Sequence, residues 1–455
     1  MSLFKIAWRS IQQRALSSAL TALSMALGVA LVIAVLVAYG VVRRSFDRGA
    51  EGFDLIVGAK GGKLQLVLNT IYHLSTPVEN VPWNYYKEFR PGGRFEKQIR
   101  VAIPFCLGDN YQGYRVVGTI PELFEVEYAQ GSSYKFRDGR NFRPDYFFEA
   151  VIGYLAAQRT GLKVGDSFFP THGVSEGKLH DEDAFKVVGI LEPTGTPNDR
   201  AVFVNMEGFY LLDGHAKPLS REQQAASTPS EKSAPAIGEK HNYGHLPLPD
   251  NQREVTAILV RTANPLVNVS LPRLINKEPY AQAVFPVSEI SSLFNGIVGN
   301  IEKVLLFLAG LVVVVSGIGI MVSIYNSMSE RRREIAIMRA LGASRRAVLS
   351  IVLLESILLS LGGGLLGLFI GHGLIGVLSP IIVAQTGVTM SMFQFEYFEW
   401  VIPLERFSSS WQSIKVPVYW ELVLIPGLIA LASLVGFLPA LAAYRTDVSK
   451  SLSAM

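Results

Sequence analysis

Apolar residues gather into four long runs along the chain, at 15–42, 304–328, 347–380 and 418–444. Each exceeds the roughly 20 residues that a helix needs to cross a bilayer. The first run carries no charge and stops at Arg43 and Arg44. The third is broken only by Glu355 and His372, and the fourth has Glu421 near its start. The pattern predicts four transmembrane helices, placed at 15–43, 299–328, 347–380 and 418–444. A cleaved signal peptide fits the first run poorly: its apolar part is about twice the usual length and no small-residue cleavage site closes it.

Between the first two spans the period shortens. "YRVVGTI", "EAVIGYL", "AFKVVGIL", "RAVFVNM" and "EVTAILVRT" are short apolar or alternating runs bounded by Gly, Pro or Asp, and read as strands. "KLQLVLNTIYHL" sets Leu64, Val67, Leu68 and Ile71 at helical spacing. "LAAQRTGLKVGDSF" reads as helix, turn and strand. Residues 44–298 are therefore expected to form an α/β domain. Within it, 213–252 is polar and Pro-rich and is expected to be a flexible insertion. The 381–417 loop and residues after it hold Phe393, Phe395, Tyr397, Phe398, Trp400, Phe407, Trp411, Tyr419 and Trp420. By default they form an aromatic belt at a membrane interface.

Composition alone would hide this segregation: the 455 residues are 49% hydrophobic and 18% charged. A net charge of +4 gives no argument for nucleic acid. Its distribution is more informative. Residues 1–14 carry Lys5, Arg9 and Arg14 without an acid. The segment 330–349 carries six arginines, and the tail 445–455 has Arg445 and Lys450. The positive-inside rule then places both termini and the 329–346 segment in the cytoplasm of a multi-pass inner-membrane protein. The domain 44–298 and the 381–417 loop lie outside. Phe4, Ile6 or Ala7, Trp8 and Ile11 share one face of a lead-in helix lying on the inner surface, the alternative being a frayed basic end.

Catalytic and metal motifs are missing from the sequence. "GAKGGKL" is one residue short of a phosphate-binding loop and ends in Leu rather than Ser or Thr. The single cysteine, Cys106, excludes an internal disulfide and reads as a buried strand residue. His241 and His245 are four apart, lack a third ligand nearby and are followed by Pro247 and Pro249, and the other histidines are scattered. No metal site and no catalytic site is assigned. The chain is expected to be non-catalytic, with no cofactor of its own.

The segment 330–349 has internal structure beyond its charge. Ile335, Met338 and Leu341 lie on one helical stripe. Gly342 is placed to end that helix in a left-handed cap, and Ser344 to cap the next. Gly363, Gly367 and Gly371, at four-residue spacing, allow a close helix–helix seam, within the chain or across a dimer. Glu355, inside the third span, calls for a buried polar partner.

With those residues in view, "ERRREIAIMRALGASRRAVLSIVLLESILLSLGGGLLGLFIG" resembles the signature of ABC transporter permeases of the FtsX/MacB/LolC family, also called type VII or mechanotransmission. "AWRSIQQRALSSALTALSMALGVAL", "AFKVVGILEPTGTPNDRAVFVNMEGF" and "GFLPALAAYRTDVSKSL" resemble its first span, its outer-domain strands and its closing motif, though the usual proline near Asp447 is missing. The resemblance implies an integral membrane α-helical protein with a large extracytoplasmic MacB-like α/β domain between the first two spans, with 121–250 as an inserted subdomain. It implies a homodimer, or a pair with a similar permease, on two copies of an ATPase that binds ATP and magnesium. It also implies contact with lipid and handling of a lipoprotein, peptide, lipid or toxic small molecule outside. A signalling device that activates a hydrolase or sensor is the alternative, and an adaptor, lipoprotein or hydrolase is the outer partner it implies. Glu334, Ile335, Met338, Arg339, Leu341 and Gly342 would contact the ATPase.

Overall fold

The computed structural model describes residues 2–455 except 78, 174–178, 181–182, 218–241, 243–244, 331, 387–390, 392–394, 396, 404–412 and 445–455, and omits the side chains of 329–333, 384–386, 398–403, 413–415 and 442–443. The heart of the polar insertion, His241, Phe393, Phe407, Trp411, Arg445 and Lys450 lie outside the described residues. The chain divides into two compact units, one built on Arg43–Gly296 and one on the segments before and after it.

The second of these is helical. A lead-in helix, Leu3–Gln13, starts at Ser2, whose Oγ accepts the Lys5 N–H at 3.3 Å. Ala7 and Ser10 are buried, while Phe4 and Trp8 are exposed on an apolar face. Four long helices follow, Ala15–Ala50, Gly299–Glu330, Arg345–Thr386 and Trp420–Tyr444. Among the described residues these are the helices long and apolar enough to cross a membrane. Serines join them through backbone carbonyls. Ser316 Oγ donates to Ser24 O at 2.9 Å, Ser356 Oγ to Ala432 O at 2.6 Å, and Ser360 Oγ to Leu428 O at 3.3 Å.

The segment read from sequence as the 381–417 loop, with the first residues of the fourth run, holds two paired strands. Tyr397–Pro403 pairs antiparallel with Ser413–Tyr419, setting Tyr397 opposite Tyr419. Both strands are rich in aromatic and β-branched residues, which suit a pleated ribbon. Pro417 is tolerated because every strand of a two-stranded ribbon is an edge.

The unit built on Arg43–Gly296 is α/β. Its strands are β1 (Leu55–Ala59), β2 (Ile99–Tyr111), β3 (Tyr114–Thr119), β4 (Phe136–Gly139), β5 (Glu149–Ile152), β6 (Ser167–Phe168), β7 (Thr171–His172), β8 (Phe185–Leu191), β9 (Ala201–Asn205), β10 (Ala257–Thr262) and β11 (Ala281–Val284). They form one mixed sheet in the order β11-β1-β10-β2-β3-β9-β5-β8-β4, with β7 on β2 and β6 on β8. Strands from both ends of the segment make one half, and strands from 114–205 the other. The long strand β2 serves both: Ile103 pairs with Leu259 of β10, and Cys106 with Gly118 of β3. Each strand predicted from the sequence has its counterpart here, and the two predicted short helices are found at Lys63–Thr70 and Tyr154–Thr160.

The turn between β2 and β3 explains their register. Gln112 and Gly113 both have positive φ, +50° and +83°, the pattern of a type I′ hairpin. Asn110 Oδ1 accepts the Gly113 N–H at 3.1 Å and locks the turn. Phe105, Phe185 and Phe203 fill the core with Val116, Val202 and Val260. Cys106 is buried among them, its thiol donating to Tyr210 Oη at 3.2 Å. Burial pushes the thiol up to about 12, so it stays neutral.

Candidate functional site

The segment after the second long helix forms a separate short helix, Arg332–Ala340. Gly342 ends it at φ +101°. The Ala343 N–H donates to Met338 O at 3.0 Å and the Gly342 N–H to Arg339 O at 3.1 Å. This pair of bonds is a Schellman cap, which needs a residue free of Cβ strain at its left-handed position. Two residues on, Ser344 Oγ accepts the Ala347 N–H at 3.2 Å and starts the helix Arg345–Thr386. The break between the two helices is thus built from both sides.

The stripe read from sequence divides here. Ile335 and Ala336 are buried within their own unit, so Ile335 supports the helix and is closed to a partner. Met338 and Arg339 are half-buried, and Glu334 is exposed. Ile337 is exposed, and Leu341, at the capped end, is 83% exposed. A helical stripe identifies residues that share a face but not the neighbour that face meets. The apolar surface that remains open is therefore Ile337 and Leu341.

The glycines lie against the first long helix of the same chain. A Cβ on Gly363 would stand 2.7 Å from Ala22 O, and one on Gly367 2.6 Å from Ala26 O. At Gly371 it would meet Ile33 Cβ at 3.2 Å. Glu355 is buried on the helix Arg345–Thr386, and Ser10 Oγ of the lead-in helix donates to its Oε2 at 3.0 Å. The acid predicted to need a partner thus finds one on the amphipathic lead-in. His372 is buried and meets Phe395 edge-on at 5.3 Å between ring centroids.

A second constellation lies in the α/β unit, where the sequence suggested only scattered histidines. Asp109, His172, His180 and His215 bring one potential ligand atom each to within 4.8 Å of all the others. Asp109 sits near the end of β2, and β7 pairs beside it with His172 opposite Asp109. The Gly173 N–H donates to Gly108 O at 2.9 Å, which holds β7 on the strand, and the His180 N–H to Pro170 O at 2.9 Å, which brings His180 beside β7. His215 follows the helix Met206–Leu211, its N–H donating to Leu212 O at 3.2 Å and its ring edge-on to Phe209 at 4.4 Å. The four residues come from distant segments, so no local spacing marks them. His245, half of the histidine pair noted in the sequence, instead meets Asp183 Oδ2 at 2.8 Å.

The helical unit, with its four candidate spans and capped break, joined in sequence to a mixed α/β unit, has the build of a membrane protein with an inserted α/β domain. Residues 306–448 match the FtsX-like permease C-terminal model, and 18–242 match the MacB-like periplasmic core domain model. In domain composition the chain belongs to the FtsX/MacB-type ABC transporter permeases. It is 34% identical over 265 residues to the ABC transporter permease YtrF of Bacillus subtilis, covering 58% of this chain and 51% of that one. It is 36% identical over 114 residues to the macrolide export ATP-binding/permease protein MacB of Rhodopirellula baltica, covering 25% of this chain and 17% of that protein. For MacB of Bdellovibrio bacteriovorus the figures are 35% over 133 residues, 28% and 20%. The matched segments therefore span about a fifth of those MacB proteins and half of YtrF.

Proposed function

We propose that this chain is the permease subunit of an ATP-driven ABC transporter. A separate ATPase, in two copies with its ATP and magnesium, docks on the cytoplasmic side against Arg332–Ala340 and the capped turn after it. A second permease copy completes the assembly. Nucleotide-driven motion of the docking helix is passed through the span helices to the extracytoplasmic α/β unit. There a lipoprotein, peptide, lipid or toxic small molecule is exported or extracted. The chain itself performs no hydrolysis.

The observation that carries this reading is the short helix ending in exposed Leu341 and closed by the Gly342 cap. Leu341 and the neighbouring exposed Ile337 leave a small apolar patch at a rigid turn, the kind of surface that a partner covers. The name of the MacB relatives, which joins ATP-binding to permease, supports the pairing. Leu341→Glu tests it. The side chain is exposed, so folding is unaffected, while ATPase stimulation by the permease in detergent or nanodiscs falls to the level of the ATPase alone. Wild-type stimulation in that variant refutes the docking assignment. If the purified assembly captures a cell-wall hydrolase and moves nothing, the signalling alternative takes its place.

A further inference from the structure

The four side chains of the α/β unit form a surrounding that a bare protein rarely builds. Asp109 is fully buried. Its Oδ2 lies 3.1 Å from His215 Nε2 and 3.4 Å from His180 Nε2, and its Oδ1 3.3 Å from His172 Nδ1. Yet neither carboxylate oxygen receives a hydrogen bond, and the cation that acts on Asp109, buried Arg115, does so through space without a hydrogen bond to it. A buried carboxylate that accepts no hydrogen bond is strongly disfavoured, and a cation held at a distance offsets only part of that cost. Three imidazoles facing it do not solve the problem, because their geometry is wrong for donation and they crowd one another. Their ring centroids stand 5.3–5.7 Å apart.

The spacing fits another arrangement. Ligand atoms held at about 2.0–2.1 Å from a central ion at the corners of a tetrahedron are about 3.3–3.4 Å apart. Oδ2 stands at about that edge from His215 and His180, and Oδ1 from His172, with one ligand atom from each of the four residues within 4.8 Å of the others. We infer that Asp109, His172, His180 and His215 bind one divalent d-block cation, with zinc the ion best suited to them. Three neutral imidazoles and one carboxylate favour such an ion over magnesium or calcium, which take all-oxygen shells. Its charge neutralises the buried Asp109. Four protein ligands close the coordination sphere, the form of a site that holds its ion rather than activating a water.

The backbone gives the site a purpose. The ion would add His180 and the stretch after Met206–Leu211 to the pairing that already holds Thr171 and His172 against the end of β2. His180 is buried and His215 partly so, but His172 is 51% exposed on its side chain, so the site opens to solvent along that edge and the ion has an entry path. The assignment does not depend on the ATPase docking proposed above.

The test uses the full chain in detergent, stripped with a chelator and titrated with Zn²⁺ by calorimetry and with Co²⁺ by visible spectroscopy. One equivalent binds, the Co²⁺ form shows the intense d–d bands of four-coordination, and Zn²⁺ raises the melting temperature. Asp109→Asn and His172→Gln each weaken binding by roughly a hundredfold or more, whereas His245→Gln leaves it unchanged. His172→Gln carries the decision if Asp109→Asn misfolds, because the exposed imidazole is not needed for the core. Absence of saturable 1:1 binding, wild-type affinity in His172→Gln, or the weak bands of six-coordinate Co²⁺ each overturn the proposal.

Discussion

The helical unit packs by omitting side chains, and the α/β unit packs by filling space with them. Where the helices meet most closely, Gly363 and Gly367 bring one backbone against the carbonyls of Ala22 and Ala26. In the sheet unit, Phe105, Phe185 and Phe203 occupy the corresponding role. The media differ. Lipid is as apolar as leucine, so helices gain little from burying leucine against one another and rely on close contact and hydrogen bonds. In water, burial itself drives assembly. The polar groups follow the same division: serines reach neighbouring carbonyls in the helices, while the sheet unit gathers its buried polar side chains into clusters such as that around Asp109.

Substitutions of opposite kind should break the two units. Phe185→Ala leaves a cavity and costs the α/β unit about 4 kcal/mol in chemical denaturation. Gly367→Leu costs the helical unit about 3 kcal/mol by overpacking against Ala26 and Val29. A Cβ on Gly362 meets nothing within 4 Å, so Gly362→Ala leaves stability unchanged in the same assay, and an equal loss in both variants would refute the seam.

A pH measurement sharpens the contrast from the α/β side. Burial pushes His73 down to about 4, below its ordinary 6.5. Between those values the unfolded chain holds the extra proton, so stability rises with pH through about 4 to 6.5 and is lost as pH falls. The loss approaches 3 kcal/mol, on the order of 1.4 kcal/mol per pH unit, and His73→Gln removes that part of the slope. The smallest expected effect is Ser356→Ala. Its bond to Ala432 O is worth about 0.6 kcal/mol in a membrane setting, read from reversible unfolding in bicelles.

The same contrast explains what the sequence made legible. Spans, strands and the Gly342 cap are local patterns, in which residues one to four positions apart decide the outcome. The glycine spacing signalled a seam, but the choice of Ala22–Ile33 as its other face required three dimensions. The stripe of Ile335, Met338 and Leu341 was readable, whereas the burial of Ile335 was not, because its neighbours are remote in sequence. The hairpin at 397–419 was present as alternation but masked by an aromatic content that also suits an interface. The histidines gave the least warning: His172 ends a two-residue strand, His180 and His215 lie in connecting segments, and only the path of β2 and its partners brings them together.

The bond from Ser10 to Glu355 joins positions 345 residues apart. At 5–20 residues per second, about 20–70 s of synthesis separate the two ends of that bond. The first span and its lead-in are made before the whole α/β unit and must wait in the membrane until the glycine face of the third span emerges. The amphipathic lead-in, with Phe4 and Trp8 turned outward, gives the young chain a foothold during that interval. Assembly of the helical unit is therefore a late event, set by the clock of translation rather than by the speed of helix formation.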